Sequence, residues 1–187
     1  MAARLEQDRS GEIMGRASYR DAVDRAAILS VLSEFDPHIA GTPPLDLDVP
    51  TSDIDILCHA PDPCRFAAAV WKAFGSRPDF RMWQWIGADR PVLATFEAHE
   101  WQFEIFGQAT PVAEQAGWRH LVIERRLLAL GGERLASAVM AFRRNGLKTE
   151  PAFAAALKLG GDPYQVLLDM GDWTDESLSA SIGRAIA

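Results

Sequence analysis

Apolar side chains recur at helical spacing near the start of the chain. Over residues 19–35 they alternate with charged side chains at intervals of three or four, the pattern of a helix with one buried face. The apolar positions are Val23, Ala27, Ile28, Val31, Leu32 and Phe35. Pro37 follows directly and is incompatible with a helix interior, so the predicted helix ends before it.

Shorter segments with strand character come next. They are rich in aromatic and β-branched residues and are separated by turn-forming glycine, proline and acidic residues. One predicted helix, over residues 65–74, interrupts them, and Pro63 is compatible with its first turn. The predicted strands span residues 38–40, 53–58, 80–86, 92–99 and 101–106.

Beyond Pro111 the pattern is helical throughout, with Gly-Gly and Asn-Gly pairs between segments. The predicted helices span residues 112–130, 133–144, 150–159, 163–170 and 174–185. Strands mixed with helices, followed by helices alone, predict an α+β (mixed α/β) fold: a mixed sheet flanked by helices, then a helical C-terminal part. We divide the chain accordingly into a flexible N-terminal tail (1–17), an α/β domain (18–110) and a helical subdomain (111–187).

Polar positions add three local predictions. The alternation over residues 45–49 is typical of a half-exposed strand or hairpin arm. His120 and Glu124 have the spacing of an exposed i,i+4 pair on a helix, which is the simplest interpretation of both. Thr149 is predicted to cap the helix that follows Lys148.

Composition and charge narrow the classes of function. The 187 residues are 48% hydrophobic and 24% charged, as in an ordinary globular protein. The net charge of −7 argues against broad nucleic-acid binding. Cys58 and Cys64 are too few for a disulfide scaffold, so free thiols are expected. The chain has no apolar stretch of membrane-spanning length and its start lacks a signal-peptide core, which predicts a cytoplasmic protein without a membrane partner.

The predicted strand at 53–58 carries two carboxylates inside an apolar run. Residues i and i+2 of a strand share a face, so Asp53 and Asp55 are expected side by side while their apolar neighbours face the core. Like charges this close disfavour each other's ionised form unless a cation separates them, and carboxylate oxygens suit Mg²⁺. A turn at Ser52 would explain Asp53 alone and would leave Asp55 to be satisfied separately.

A third acid, Glu104, lies in the aromatic strand at 101–106. If this strand neighbours the one that bears Asp53 and Asp55, all three carboxylates share one face. Three such carboxylates can hold the two divalent ions of phosphoryl transfer, about 3.5–4 Å apart. A glutamate at the sheet edge, facing water, is the alternative.

These residues carry a resemblance to a known superfamily. Gly41-Thr42, a spacer, the acidic-apolar run over 52–57 and the later Glu104 resemble the signature of nucleotidyltransferase-like domains of the DNA polymerase beta superfamily. The resemblance covers roughly residues 19–107. A wider resemblance, over most of the chain, is to a bacterial family described only as domain of unknown function 4269, which implies no activity.

The superfamily resemblance implies transfer of a nucleotidyl group from a nucleoside triphosphate (NTP) to an acceptor that the sequence does not identify. It also implies Mg²⁺ or Mn²⁺ as cofactor. The implied nucleotide-binding residues are Gly41, Thr42 and Ser52. The implied catalytic and metal-binding residues are Asp53, Asp55 and Glu104.

The spacer after Thr42 motivates a second hypothesis. Pro43 and Pro44 have no N–H group, so this turn offers few amide donors to a phosphate. Asp46 and Asp48 add negative charge to the same loop. A nucleotidyltransferase-like fold that has lost turnover, and serves as a ligand- or partner-binding module, would account for these residues. No feature of the sequence determines the oligomeric state.

Overall fold

A computed structural model describes residues 16–86 and 90–185. The described helices are α1 (Tyr19–Ala26), α2 (Ile28–Val31), α3 (Pro63–Phe74), α4 (Ala116–Arg144), α5 (Thr149–Ala156), α6 (Pro163–Met170) and α7 (Asp175–Ala185). The described strands are β1 (His38–Ala40), β2 (Ile54–His59), β3 (Arg81–Gln84), β4 (Val92–Ala98) and β5 (Trp101–Gln108). The mixed α/β fold with a helical C-terminal part is confirmed. The predicted flexible tail lies outside the described residues, apart from positions 16 and 17.

The strands form one mixed sheet in the order β1-β2-β5-β4-β3. β2 and β5 are parallel, whereas the other neighbouring pairs are antiparallel. A parallel pair cannot be joined by a tight turn, so α3, β3 and β4 form the long connection between its strands. β4 and β5 form a hairpin through His99 and Glu100, both of which have the positive φ of a type I′ turn. β5 therefore lies at the centre of the sheet.

The two faces of the sheet pack against different helices. Ile54, Ile56 and Ile105 are fully buried on the face that α1 and α3 cover. Leu57 and Phe106, which alternate with them along β2 and β5, pack instead against the helical C-terminal part. The alternation of a strand thus separates two hydrophobic cores, one on each side of the sheet.

The first core is closely packed around aromatic rings. Phe74, Phe96 and Phe103 stack in a row with ring centroids 4.9 and 5.1 Å apart. At Gly107 an added Cβ would lie 2.2 Å from Cε1 of Phe66. The close approach of α3 to the central strand therefore requires glycine at this position.

The predicted helix at 19–35 is divided into short pieces. Ala27 adopts a left-handed conformation (φ 54°), and its N–H donates to the carbonyl of Asp24, which ends α1. α2 follows, and then a 3₁₀ turn at Ser33–Phe35. Of the six predicted apolar positions, four are buried (Val23, Ile28, Leu32 and Phe35), whereas Ala27 and Val31 are exposed. The helical spacing thus places most of the buried face but carries no signal for the break.

The two helices predicted over 112–130 and 133–144 correspond to two helical segments that meet at a kink within α4. Gly132, at the kink, has φ 58° and ψ −156°, which are not helical values. Residues 112–114 form a separate 3₁₀ turn before α4. Among the described residues, no helix combines the length and apolar character needed to cross a membrane.

The strand or hairpin arm predicted for residues 45–49 is wrong. Pro43–Leu45 forms a 3₁₀ turn, and Asp46 then takes a left-handed conformation (φ 57°). Leu45 and Leu47 are both buried in the second core. The alternation arises because a compact loop buries two leucines, while the proline pair fixes the backbone of the turn.

Candidate functional site

A cavity of about 670 Å³ lies between the sheet and the helical C-terminal part. Asp55 is directly opposite Glu104 in the parallel register of β2 and β5, and Asp53 lies one residue before β2. All three acids line the cavity. The structure thus brings the three predicted residues to one place, and Glu104 lies on the central strand rather than at a sheet edge.

Gly41 makes room for one of these carboxyls. It follows β1 with φ 74°, a conformation that favours glycine. A Cβ at this position would lie 2.0 Å from Oδ2 of Asp55. The predicted importance of Gly41 therefore has a structural basis here: its missing side chain is the space that the Asp55 carboxyl occupies.

The electrostatics of the cavity oppose ionisation of Asp55 and Glu104. Burial raises the pKa of Asp55 to about 8, and the charges of Asp53 and Glu104 add to this effect. Burial also raises the pKa of Glu104, again with a contribution from Asp53. Lys148 lowers both values but does not reverse either shift. The carboxyls therefore lack a sufficient positive charge.

The arrangement of these side chains does not form a metal site, whereas their chemical type suits one. Within residues 16–86 and 90–185, no three His, Cys, Asp or Glu side chains are already arranged to hold an ion. Nor do Asp53, Asp55 or Glu104 form an ion pair within that part of the chain. The donor set nevertheless fits a hard divalent cation, because it consists of carboxyl oxygens that no ion pair among the described residues engages.

Ser52 joins the loop before β2 to the end of α4. Its Oγ accepts hydrogen bonds from the N–H of Val49 (2.9 Å), from Oγ1 of Thr42 (3.3 Å) and from Nη2 of Arg143 (3.1 Å). Arg143 also donates from Nη1 to the carbonyl of Leu147 (2.8 Å). Both hydroxyl-bearing residues line the cavity and are buried, so this network fixes their orientation.

Arg16 supports the same loop from the opposite side. Its Nη2 donates to the carbonyl of Ser52, and its guanidinium lies over the ring of Trp101, 3.1 Å from the centroid. Burial lowers the pKa of Arg16, whereas the nearby carboxylates of Asp48 and Asp53 raise it. The cation therefore lies close enough to influence the acid at the entry to β2.

The helical side of the cavity carries a second polar cluster. His120 and Glu124 are only 7% and 3% exposed, so the prediction of an exposed pair is wrong. Nε2 of His120 lies 3.0 Å from the carbonyl of Tyr164, and Nδ1 lies 3.5 Å from Oε1 of Glu150. The pair is buried because α5 and α6 pack over this face of α4, which helical spacing within α4 does not reveal.

Burial also governs the acid of this second cluster. It raises the pKa of Glu124 well above its ordinary value, and the charge of Glu150 adds to the shift while Arg143 opposes it. Lys148, rather than the predicted Thr149, is the N-cap residue of α5 and lines the cavity. This places an acid and a base at the start of α5 beside the three sheet acids.

Four residues of the site carry no distinctive signal in the sequence. Arg143 lies in the last turn of α4, where a basic residue is ordinary, and Glu150 lies in the first turn of α5, where an acidic one is ordinary. Gln115 and Trp85 have no motif around them, yet both line the cavity. Only tertiary packing assigns these side chains to the site.

Comparison with known proteins identifies a family and a fold. A profile of the family described as "Domain of unknown function (DUF4269)" matches residues 21–170. A search of curated proteins found no match. Among solved structures, the chain resembles "structure of GLD-2/RNP-8 complex", with a TM-score of 0.50 and 10% identity over 85% of this chain and 72% of that chain.

A second solved structure shows the same likeness. It is titled "Crystal structures of the Cid1 poly (U) polymerase reveal the mechanism for UTP selectivity - MgGTP bound", with a TM-score of 0.52 and 12% identity over 80% of this chain. The present chain spans about half (47%) of that protein. At such identities the likeness establishes the fold alone. The chain belongs to the DUF4269 family and has a nucleotidyltransferase-like fold.

Proposed function

We propose that this protein is a metal-dependent nucleotidyltransferase, which moves a nucleotidyl group from an NTP to an acceptor. One observation carries the proposal: the β2–β5 register sets Asp55 opposite Glu104, with Asp53 beside them, at the wall of a cavity. The nucleotidyltransferase-like fold supports the same conclusion. Burying several carboxyls without ion pairs costs stability, which is expected where function requires them.

In the proposed reaction, an acceptor hydroxyl oxygen forms a bond to the α-phosphorus of the NTP. The bond from that phosphorus to the bridging oxygen breaks, and pyrophosphate leaves with the electron pair. Asp53, Asp55 and Glu104 would hold Mg²⁺ or Mn²⁺, which supplies charge stabilisation on the transferring group. Glu104 would accept the hydroxyl proton, a role that its raised pKa favours.

The triphosphate is proposed to lie along Gly41, Thr42 and Ser52, which line the cavity. The proline pair after Thr42 removes two amide donors from this wall. Lys148 lines the same cavity and its charge already acts on Asp55 and Glu104, so we propose that it contacts the phosphates. Three of the five N–H donors of Arg143 are instead engaged in holding the loop.

The test compares the wild-type protein with a double variant, Asp53→Asn and Asp55→Asn. Both proteins are incubated with Mn²⁺ or Mg²⁺ and labelled NTPs, and metal and nucleotide binding are measured by calorimetry. The variant is expected to lose metal binding and metal-dependent nucleotide binding. Asp172→Asn, an exposed substitution, is the matched control and should behave as wild type. Equal binding by the double variant and the wild type would rule the proposal out.

A second candidate function is a ligand- or partner-binding module without turnover. It is favoured by the absence of a preassembled three-ligand metal group among the described residues and by the Pro43-Pro44 turn. The same proteins decide between the two. Labelled product that forms with wild type and disappears with the double variant excludes the module, whereas nucleotide binding without product, over a panel of acceptors, favours it.

A further inference from the structure

The helical wall of the cavity contains hydrogen-bond acceptors that lack a donor. Gln115 and Glu124 are 1% and 3% exposed, and both line the cavity. Oε1 of each has no hydrogen-bond partner among the described residues. A buried acceptor without a partner costs about 1–3 kcal/mol, so two on one wall are unusual.

Several donors near these oxygens are already engaged. Nε2 of Gln115 donates to the carbonyls of Cys58 (3.0 Å) and Thr110 (2.9 Å), which fixes its amide with Oε1 left over. Arg143 lies near enough to influence Glu124, but three of its five N–H donors go to two backbone carbonyls and to Ser52, and Oε1 of Glu124 stays without a partner among the described residues. The helical wall therefore offers acceptors to a donor on a bound ligand.

His120 does not supply that donor. A carbonyl oxygen only accepts, so the contact of Nε2 with the carbonyl of Tyr164 requires the proton on Nε2. The other ring nitrogen, Nδ1, faces Glu150 at 3.5 Å. With the single proton on Nε2, Nδ1 is itself an acceptor, so His120 gives no donor to Glu150 or to Glu124.

The charge of the missing donor follows from the acids around the cavity. Five carboxyls line it, against one lysine and one arginine. The acids are Asp53, Asp55, Glu104, Glu124 and Glu150, and the basic residues are Lys148 and Arg143. On the helical wall, a cation with N–H donors would compensate the charge of Glu124 and Glu150 and give the unpartnered oxygen of Glu124 a donor.

We propose that the helical wall binds a protonated amine of the acceptor substrate at Glu124 and Glu150, whose charges act on each other. The inference rests on the proposed function and deepens it, because it assigns the acceptor to amine-bearing molecules. An ammonium group donates three hydrogen bonds and carries the compensating charge, which a neutral hydroxyl does not. The amine-binding wall faces the sheet acids across the cavity, so a bound acceptor would place its reacting hydroxyl toward them.

The test uses 1,4-diaminobutane as probe and 1,4-butanediol as its neutral counterpart, with the full-length protein saturated with Mg²⁺. Binding is followed by calorimetry. We expect the diamine to bind in the range of about 1 mM or tighter, and the diol about tenfold more weakly or not at all. Glu124→Gln and, independently, Glu150→Gln should each weaken the diamine about tenfold. Glu133→Gln, an exposed change on the same helix, should not.

The sheet acids provide the control that separates the two proposals. The double variant Asp53→Asn and Asp55→Asn should keep diamine affinity while it loses metal, since the amine contacts the helical wall. Diamine affinity that falls in this variant but not in Glu124→Gln or Glu150→Gln overturns the amine site and leaves the nucleotidyltransferase proposal standing. Equal affinity for diamine and diol also overturns it. Circular dichroism verifies that each variant is folded before its binding is compared.

Discussion

The two faces of the β2–β5 pair bury different chemistry. On the face toward α1 and α3, the inward side chains are all apolar, and the ring of Phe103 stacks on that of Phe96. On the face toward the helical part, Asp55 and Glu104 alternate with Leu57 and Phe106 around a cavity. One face is filled for stability, whereas the other carries carboxyls that lower stability and are expected only where a ligand compensates them.

The largest expected loss of stability comes from a substitution on the apolar face, toward α1 and α3. Phe103→Ala removes a fully buried ring from a stack and should destabilise the protein by about 3–5 kcal/mol. Phe106→Ala, on the cavity face of the same strand, should cost clearly less because Phe106 is only partly buried. Urea denaturation measures both. Equal losses would mean that the two faces contribute equally, contrary to this comparison.

The next largest effect on stability concerns the space that Gly41 leaves for the carboxyl of Asp55. Gly41→Ala should destabilise the protein by about 1–3 kcal/mol, because its Cβ would overlap Oδ2 of Asp55 and the backbone has positive φ. Metal binding should fall as Asp55 is displaced. Gly161→Ala is the matched control: it also has positive φ but open space around it, so it should cost only about 1 kcal/mol and leave metal binding unchanged.

Glu124 allows the cost of a cavity-face acid to be measured through pH. Its pKa is raised in the folded protein, so folding takes up a proton and this contribution to stability falls as pH rises above the ordinary value of 4.5. Glu124→Gln should therefore stabilise the protein by about 1–2 kcal/mol at pH 8 and have little effect at pH 4. Thermal unfolding at both values measures this, with Glu133→Gln as control. A gain of the same size at pH 4 would contradict the assignment.

The smallest expected effect on stability concerns Ser52, in the loop before β2. Ser52→Ala removes the acceptor shared by Thr42, Val49 and Arg143 and should cost about 1 kcal/mol. Ser30→Ala, which removes one exposed hydroxyl contact, should change stability by less than half of that. If Ser52→Ala instead lowers nucleotide affinity while stability is unchanged, the hydroxyl acts on the ligand and not on the loop.

The sequence alone predicted that the three sheet acids would share one face, but it did not predict which residues of the helical part line the cavity. The prediction for Asp53 and Asp55 needs only local sequence, because the alternation of a strand sets the face of both side chains. Glu104 required the assumption that its strand neighbours theirs, which the β2–β5 pairing bears out. His120 and Glu124 look like a solvent-facing pair within their own helix, and only the packing of α5 and α6 makes them buried.

Interruptions of the helical backbone could be predicted from the sequence only in part. Ala27 interrupts a regular apolar period without glycine or proline, and its left-handed conformation follows from packing rather than from its own preference. Gly132, in contrast, carried the signal of a helix end, and the chain does kink there between the two helical segments of α4. Patterns of residue type report which face is buried, while the exact path of the chain depends on contacts between distant segments.

The parallel pairing of β2 with β5 also has a consequence for synthesis of the chain. Ribosomes deliver β2 well before β5, so one edge of β2 has no strand partner until α3, β3 and β4 have emerged. An unpaired apolar edge strand is prone to associate with other chains, and charged side chains on it discourage such association. Asp55 is a charged position of this kind on β2, and it faces Glu104 only after β5 has paired.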